Sequence, residues 1–437
     1  MTARGAEVVI DKLIPEGKAL GRLADGRIVI ATGAVPGDRI ALEEVTERKG
    51  LVTARKHRLL APSPQRITPV CELAERCGGC DWMALSVTEQ RRHKVQILRE
   101  ALLRTGKIDW RERPIELVAG ERAEGYRCRV RLQVGGGRIG FYHRGSHELV
   151  EPERCAVSSS AVNSALALLR ELARRHPGAL DAYAWLEVRE ASDGSVSVLL
   201  QRREPRAEVD ERPWLEALRV SFRVGHVGGP ADGAQRFQLT DDTFMLSAPQ
   251  GFVQVNWEVN RLLVARVLAG ASSRGVATFV DAYAGSGNFA LPLLGLGLGG
   301  LAIESNASAV ESAREAAAAQ GFEPAAFILG DAVAYAERLT RQAERFDLVL
   351  VDPPRAGLKE GLPSLARLAA GWLAMCSCNP VTLARDLRAL LDLGFELESL
   401  EAFDMFPQTH HLETLAWLRA PRLEVPAQMI AQNMSSV

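Results

Sequence analysis

The sequence lacks a long uninterrupted hydrophobic run. Its most apolar stretch, residues 289–303, is broken by glycines and is shorter than the about 20 residues that a membrane-spanning helix needs. The first residues also lack the apolar segment of a secretory signal peptide. The pattern therefore predicts a cytoplasmic chain that does not enter a membrane. With 437 residues, 47% of them hydrophobic, it is long enough for two or three domains with cores.

The chain also has almost no net charge, −1 at pH 7, so overall charge favours no class of partner. The distribution is uneven, because residues 1–155 contain 28 Lys and Arg against 21 Asp and Glu, a balance of +7. The remaining residues have a balance of −8. A basic front part is a modest indication of nucleic-acid binding, although uneven surface charge without function would give the same numbers.

No internal repeat is visible, and the chain divides by pattern instead. Residues 7–60 contain short β-prone runs separated by glycine and proline, which is typical of a small β-barrel. From about residue 250, strand-like runs alternate with helical ones, the βαβ rhythm of a doubly wound parallel sheet. We predict domains at residues 1–60, 61–245 and 246–420, followed by a loosely held tail at 421–437.

A glycine-rich loop, DAYAGSGN at residues 281–288, follows the first strand of the alternating region. Its glycines let the backbone approach a ligand closely at the carboxyl end of a strand. Glu304 ends the next strand, where a carboxylate can accept hydrogen bonds from ribose hydroxyls, and Asp331 follows the third strand. This order resembles the S-adenosylmethionine-binding motif of class I methyltransferases rather than the spaced GxGxxG of dinucleotide folds.

Three later segments contain candidate catalytic residues. Asp352 ends an apolar strand and opens a loop stiffened by two prolines. Cys378 lies just before a helix that Pro380 can begin, and backbone dipoles at a helix N-terminus favour a thiolate. Glu413 follows two histidines at the start of a final strand and is a candidate base, although such a residue is more often an exposed charge. Cys376 fits better as a small buried hydrophobic residue.

Together these segments resemble the RNA 5-methyluridine methyltransferase family. The resemblance covers residues 254 to about 418 and depends on DPPRAG (352–357), SCNP followed by TLARD (377–386), and DMFPQTHHLE (404–413), in that order. It implies an α/β fold with a Rossmann-like class I S-adenosylmethionine-dependent domain. Tyr-Ala replaces the Phe-Cys of many members before the glycine, but Tyr283 keeps the aromatic surface. The implied cofactor contacts are Gln254, Tyr283, Asn288, Glu304, Asp331 and Asp352.

The resemblance also implies a covalent mechanism with Cys378 as nucleophile and Glu413 as base. Carbon 5 of uracil is a poor nucleophile, but thiolate addition at carbon 6 makes an enolate that can attack a sulfonium methyl group. A base must then remove the carbon 5 proton so that the thiolate can leave. The target base must leave its stack to reach both groups.

Three of the seven cysteines, Cys71, Cys77 and Cys80, are spaced as metal ligands with two glycines before the last. An odd number of cysteines in a chain expected to be cytosolic argues against a disulfide framework. Spacing alone leaves Cys155 or Cys128 as the fourth ligand, and does not separate zinc from an iron–sulfur cluster. The ribosomal-RNA branch of the family implies a [4Fe–4S] cluster, with Cys155 as fourth ligand and Cys128 in a strand.

The front part resembles a TRAM domain, an OB-like RNA-binding barrel, through GKALGR (17–22) and VPGDR (35–39). The transfer-RNA branch usually lacks both barrel and cluster, so the resemblance implies a 23S ribosomal-RNA substrate and a monomeric enzyme with a small α+β cluster domain in the middle. Three alternatives stay open. They are a tRNA substrate, a cluster-bearing RNA-binding or redox protein with an inactive methyltransferase fold, and an amino-methylating enzyme that shares only the Asp-Pro-Pro loop.

Overall fold

The computed structural model describes residues 3–176, 178–204, 210–229 and 232–421. The predicted tail at 421–437 lies outside these ranges, apart from residue 421. Within them, no helix combines the length and the apolar character needed to cross a bilayer.

The first five strands close into a barrel in the order β1-β2-β3-β5-β4, which confirms the small barrel predicted at the front. Side chains alternate along these strands, so that Val8, Ile10, Val29 and Ile40 fill the interior while their neighbours face outward. The Asp38 carboxylate is fully buried and accepts the backbone N–H groups of Val35 and Ser63 at 2.8 and 2.9 Å. The strands are β1 (Glu7–Ile14), β2 (Lys18–Arg22), β3 (Ile28–Thr32), β4 (Arg39–Arg48) and β5 (Leu51–Ala61).

The middle of the chain forms one long helix and a six-stranded sheet in the order β12-β11-β10-β7-β8-β9. The long helix, α1, begins after Ser86, whose hydroxyl accepts the backbone N–H of Glu89 at 3.3 Å. Apolar side chains of α2 and α3 pack with those of the sheet into one core. The elements are α1 (Val87–Arg104), β7 (Arg129–Gly135), β8 (Arg138–Tyr142), β9 (Leu149–Val150), α2 (Ser160–Arg175), β10 (Tyr183–Glu190), β11 (Val196–Arg202), α3 (Arg212–Ser221) and β12 (Arg223–His226).

An eight-stranded sheet, in the order β17-β16-β15-β18-β19-β21-β20-β6, forms the last part of the chain. A two-stranded hairpin, β13 (Gln235–Gln238) and β14 (Phe244–Ser247), precedes it. The strands of the eight-stranded sheet are β6 (Glu116–Val118), β15 (Thr278–Ala282), β16 (Gly299–Glu304), β17 (Phe327–Leu329), β18 (Phe346–Val351), β19 (Ala369–Ser377), β20 (Glu396–Phe403) and β21 (Glu413–Arg419). Its helices are α4 (Trp257–Ser273), α5 (Ala290–Gly295), α6 (Ala307–Ala319), α7 (Ala332–Arg341), α8 (Leu362–Leu368) and α9 (Pro380–Asp392).

Strands β15 to β19 are parallel and apolar along most of their length, because separate apolar cores cover the two faces of the sheet. The strand order reverses between β15 and β18, which opens a crevice at the carboxyl ends. Strand β21 runs antiparallel to β19, with Thr414 opposite Ser377, so its first residue, Glu413, lies at that same edge. This topology brings the predicted cofactor and catalytic segments together.

One strand of the large sheet comes from the predicted central domain. Strand β6 pairs in parallel with β20, with Leu117 beside Ala402, and α1 lies against α9. A division of the chain at residue 245 therefore does not separate the two sheets completely, and the predicted domain boundaries stay a prediction. A three-residue edge strand is too short to show a periodicity that sequence could have revealed.

Candidate active site

The loop after β15 has the backbone conformation of a ligand cradle. Tyr283, Gly285 and Gly287 all have positive φ angles, of 70°, 56° and 91°. A Cβ atom on Gly287 would lie 2.8 Å from the Leu291 side chain, so the turn leaves room only for glycine. The Gly285 N–H donates to Glu304 Oε2 at 3.0 Å, which ties the loop to the end of the next strand.

Three other residues predicted to contact the cofactor lie around this cradle, and two of them are hydrogen-bonded to neighbouring protein groups. Asp331 caps α7 and accepts the N–H groups of Val333 and Ala334 at 3.1 and 2.9 Å. The side chains of Asn288 and Asn260 exchange two hydrogen bonds, at 2.8 and 3.1 Å. Gln254 is half-buried just before α4. Their contacts with a cofactor stay predictions.

Cys378 lies between β19 and α9, half-buried beside the helix start. Burial and then the neighbouring Glu413 carboxyl raise the pKa of Cys378 to about 11, whereas the Arg355 guanidinium beside it acts in the opposite direction. The expectation that the helix N-terminus favours a thiolate here stays a prediction, and burial in this pocket acts against it. A low-polarity environment disfavours the charged form of a thiol.

Glu413 is the first residue of β21 and only 4% exposed. Its Oε1 has no hydrogen-bond partner among the residues described. Burial, and then the charge of Asp352, raise the pKa of Glu413 well above its usual range. Its surroundings therefore favour the protonated form of the carboxyl predicted as base, which must ionise before it can accept a proton.

Two more carboxyls belong to this group, since Asp352 interacts with Glu413 and Asp281 interacts with Asp352. Burial raises the pKa of Asp352 to about 6. Asp281 is fully buried, and its carboxylate oxygens have no hydrogen-bond partner within the described part of the chain. Burial, and then Asp352, raise the pKa of Asp281 far above its usual range. Strongly shifted carboxyls in a cleft are typical of sites of proton transfer.

Sequence reasoning missed Arg355 and the way the catalytic pocket is closed. Arg355 lies beside Cys378, and its Nη2 is 3.2 Å from His411 Nδ1. Burial, then His410 and Arg355, lower the pKa of His411 to about 3, so this imidazole is neutral. The signal was present, since Arg355 is the cation of the DPPRAG loop. The pocket has a volume of about 310 Å³, and its lining includes residues of the front barrel.

The structure brings together the four cysteines predicted to bind a cluster. Cys71, Cys77, Cys80 and Cys155 line one cavity, whose other walls include apolar side chains of the central domain. Burial raises the pKa of Cys80 to about 12. Cys128 is not part of this cavity, because its thiol is buried and donates to the Gln254 carbonyl at 3.3 Å.

The cavity offers four cysteine thiols, the donor set that a [4Fe–4S] cluster takes. In the ranges that the structure covers, no set of three or more His, Cys, Asp or Glu side chains is arranged to hold a single metal ion. A structural zinc site would need four ligands around one point. Four thiols spread around a shared cavity suit a polynuclear cluster, whose iron atoms each take one thiolate.

The fold and the cradle at its carboxyl edge define a class I S-adenosylmethionine-dependent methyltransferase. Residues 234–421 match the tRNA (uracil-5-)-methyltransferase family model. The chain is similar to the 23S rRNA (uracil(1939)-C(5))-methyltransferase RlmD of Halomonas elongata, with 34% identity over 95% of this chain and 89% of the relative. It is 31% identical to RlmD of Pectobacterium carotovorum, over 95% and 94%. The chain therefore belongs to the RNA (uracil-5-)-methyltransferase family.

A solved structure shares this architecture from end to end. It is the tRNA (uracil-54, C5)-methyltransferase of Pyrococcus abyssi in complex with S-adenosyl-L-homocysteine, with a TM-score of 0.73 and 25% identity. The match covers 94% of this chain and 99% of that one. An enzyme named for tRNA thus has the same overall layout. The barrel alone therefore does not mark the ribosomal-RNA branch, and the expectation that barrel and cluster together mark it stays a prediction.

Proposed function

We propose that this enzyme methylates carbon 5 of a uridine in 23S rRNA through a covalent bond to Cys378. The observation that supports the chemistry is that Glu413, the first residue of β21, lies close enough to Cys378 for its charge to act on the thiol, although the two residues are far apart in sequence. The pocket has room for one uracil, and the thiol and carboxyl are the two groups that the reaction needs.

In the proposed reaction, S-adenosylmethionine in the cradle supplies an electrophilic methyl group. The Cys378 thiol and the Glu413 carboxyl each lose a proton to solvent water, and Arg355 stabilises the thiolate. Addition of the thiolate to carbon 6 forms a sulfur–carbon bond and places an electron pair at carbon 5, which takes the methyl group. Ionised Glu413 then removes the carbon 5 proton. That electron pair restores the double bond between carbons 5 and 6 and expels the thiolate.

RNA as the polymer substrate agrees with the surface of the barrel. Strands β4 and β5 extend past the closed barrel, and Arg48, Lys49, Arg55 and Lys56 are exposed there. Such a basic ribbon can neutralise phosphates without reading sequence. Ribosomal RNA is the proposed substrate because the RlmD relatives match over nearly the whole chain. The Pyrococcus abyssi structure is the specific observation that favours tRNA as the second candidate.

Methyl transfer to each RNA tests this choice. The purified enzyme would be given radiolabelled S-adenosylmethionine with unmodified 23S rRNA or unmodified total tRNA, and the product nucleoside identified by digestion and chromatography. We expect labelled 5-methyluridine in 23S rRNA. Label in tRNA alone would support the second candidate, and a labelled amino group would contradict uridine chemistry.

We also propose that Cys71, Cys77, Cys80 and Cys155 hold a [4Fe–4S] cluster. When bound, the cluster would cross-link the loop at residues 71–80 to Cys155 and so stabilise the central domain. Replacement of any of the four by Ser should lower iron content and visible absorbance and should lower the melting temperature. Cys128→Ser is the matched control, because that thiol lies outside the cavity. If Cys128→Ser lost the iron and Cys155→Ser retained it, this assignment would be wrong.

A further inference from the structure

We propose that the barrel turn Pro15–Gly17 is one wall of the pocket that receives the target uridine, and that the Asp81–His410 pair holds it in place. The barrel would then position the reacting base as well as hold RNA. This inference rests on the proposed function, because it takes the pocket at Cys378 as the place where the base reacts.

The first observation is the lining of the pocket. Pro15 and Glu16 form part of its surface, together with Arg355, Cys378 and His411. The turn has a fixed shape, since Glu16 has a φ angle of 66° and its carboxylate pairs with Lys18 Nζ at 2.6 Å. A segment more than 300 residues away in sequence thus borders the proposed nucleophile.

The second observation is how closely the turn is held. Gly17 has a φ angle of 71°, and a Cβ atom there would collide with the Asp81 carboxylate and lie 2.8 Å from His410 Nδ1. Asp81 is hydrogen-bonded to the His410 side chain and accepts its backbone N–H at 3.1 Å. Three separate segments, the barrel turn, the residue after Cys80, and the loop before Glu413, therefore meet at one point.

The third observation is the set of contacts that the loop before Glu413 makes. Its Asp404 carboxylate forms a fully buried ion pair with Lys94 at 2.6 Å, which fixes one end of the loop. His411, next to His410, contacts Arg355 beside Cys378. A shift of the barrel turn would therefore move His410 and, with it, groups that touch the reacting thiol. A domain that only held RNA would have no such connection.

Two glycines of the barrel give a matched test. Gly17 and Gly26 both have positive φ angles, so alanine strains the backbone at either position, but Gly26 has no atom within 4 Å of its Cβ position. Methyl transfer would be measured in a single turnover at saturating RNA and S-adenosylmethionine. We expect Gly17→Ala to lower this rate by roughly 10- to 100-fold with RNA affinity nearly unchanged, since small misplacements cost that much. Gly26→Ala should keep the wild-type rate.

Equal single-turnover rates for Gly17→Ala and Gly26→Ala would overturn the proposal. If Gly17→Ala does not fold, a second measurement uses the wild-type protein with RNA that carries 4-thiouridine next to the target. Light should cross-link it to the peptide that contains Pro15–Gly17, and cross-links confined to other peptides would overturn the proposal. Failure of the proposed function is distinguishable, because the wild-type enzyme would then leave uridine unmethylated.

Discussion

Two groups of carboxylates lie along the same edge of the large sheet, and they differ in how their oxygens are satisfied. Glu304 and Asp331, on the cofactor side, accept backbone N–H groups and are reachable by solvent. Glu413 and Asp352, on the catalytic side, have raised pKa values, and the buried Glu413 Oε1 has no hydrogen-bond partner among the described residues. The acids predicted to contact the cofactor have their oxygens satisfied by hydrogen bonds, whereas the acids proposed to lie near the reacting base are costly to ionise.

Removal of the proposed nucleophile on the catalytic side should have the largest effect on methyl transfer. Cys378→Ala should abolish methyl transfer, with a loss of at least about 1,000-fold, because no other group can form the bond to carbon 6. Binding of S-adenosylmethionine, measured by calorimetry, should stay near normal. Cys376→Ala is the matched control, two residues earlier and fully buried in β19. More than trace activity in Cys378→Ala would show that the nucleophile is another group.

Replacement of Glu413, the proposed base, should change the reaction product, whereas replacement of a carboxylate on the cofactor side should not. Glu413→Gln keeps the shape but cannot take the carbon 5 proton, so addition and methyl transfer should occur and elimination should stop. A protein–RNA complex containing methylated uracil should then accumulate. Denaturing electrophoresis with labelled S-adenosylmethionine would show it as a shifted, labelled band.

Glu304→Gln is the control from the cofactor side for this experiment. It should weaken S-adenosylmethionine binding and give no trapped band, because Glu304 lies away from the carbon 5 proton. Normal turnover by Glu413→Gln, or inactivity without a trapped band, would mean that Glu413 is not the base. His410, which lines the same pocket as Cys378, is then the next candidate.

Sequence patterns were sufficient to predict the part of the fold in which strands and helices alternate. Continuous apolar runs between helical segments identified β15 to β19, and Pro380 marked the start of α9 next to Cys378. The pKa of Cys378 could not be predicted in the same way. It depends first on burial and then on Glu413, which an antiparallel strand brings back to the parallel edge.

The choice of the fourth cysteine ligand also could not be made from sequence patterns alone. Spacing alone left Cys128 and Cys155 as equal choices for the fourth ligand, because both follow the first three at long range. The structure places Cys155 on the cavity and turns Cys128 toward the Gln254 carbonyl. The contact of the barrel turn with Asp81 and His410 also had no sequence signal, because it joins three segments that have no common periodicity.

Asp352→Asn should stabilise the protein while it impairs catalysis. The pKa of Asp352 is raised from 3.8 to about 6, so the folded state binds its proton more tightly than the unfolded state does. Stability is therefore lost as the pH rises from about 4 to about 6, and asparagine avoids that loss. The free energy of unfolding should be equal for both proteins near pH 3.5, and higher for Asp352→Asn by up to about 3 kcal/mol at pH 8. Urea unfolding at the two pH values measures it.

Replacement of Asp331 should have the smallest effect, and it should lower stability where Asp352→Asn raises it. Because its carboxylate caps α7 through two backbone N–H groups, Asp331→Ala should destabilise the protein by about 1 kcal/mol. It should also raise the Kd for S-adenosylmethionine by roughly two- to tenfold, the equivalent of one hydrogen bond. Asp331→Asn can still cap the helix, so it should retain stability and lose only affinity. If Asp331→Ala were instead more stable than the wild type, the carboxylates of the cofactor side would be as poorly satisfied as those of the catalytic side, and the contrast between the two groups would not hold.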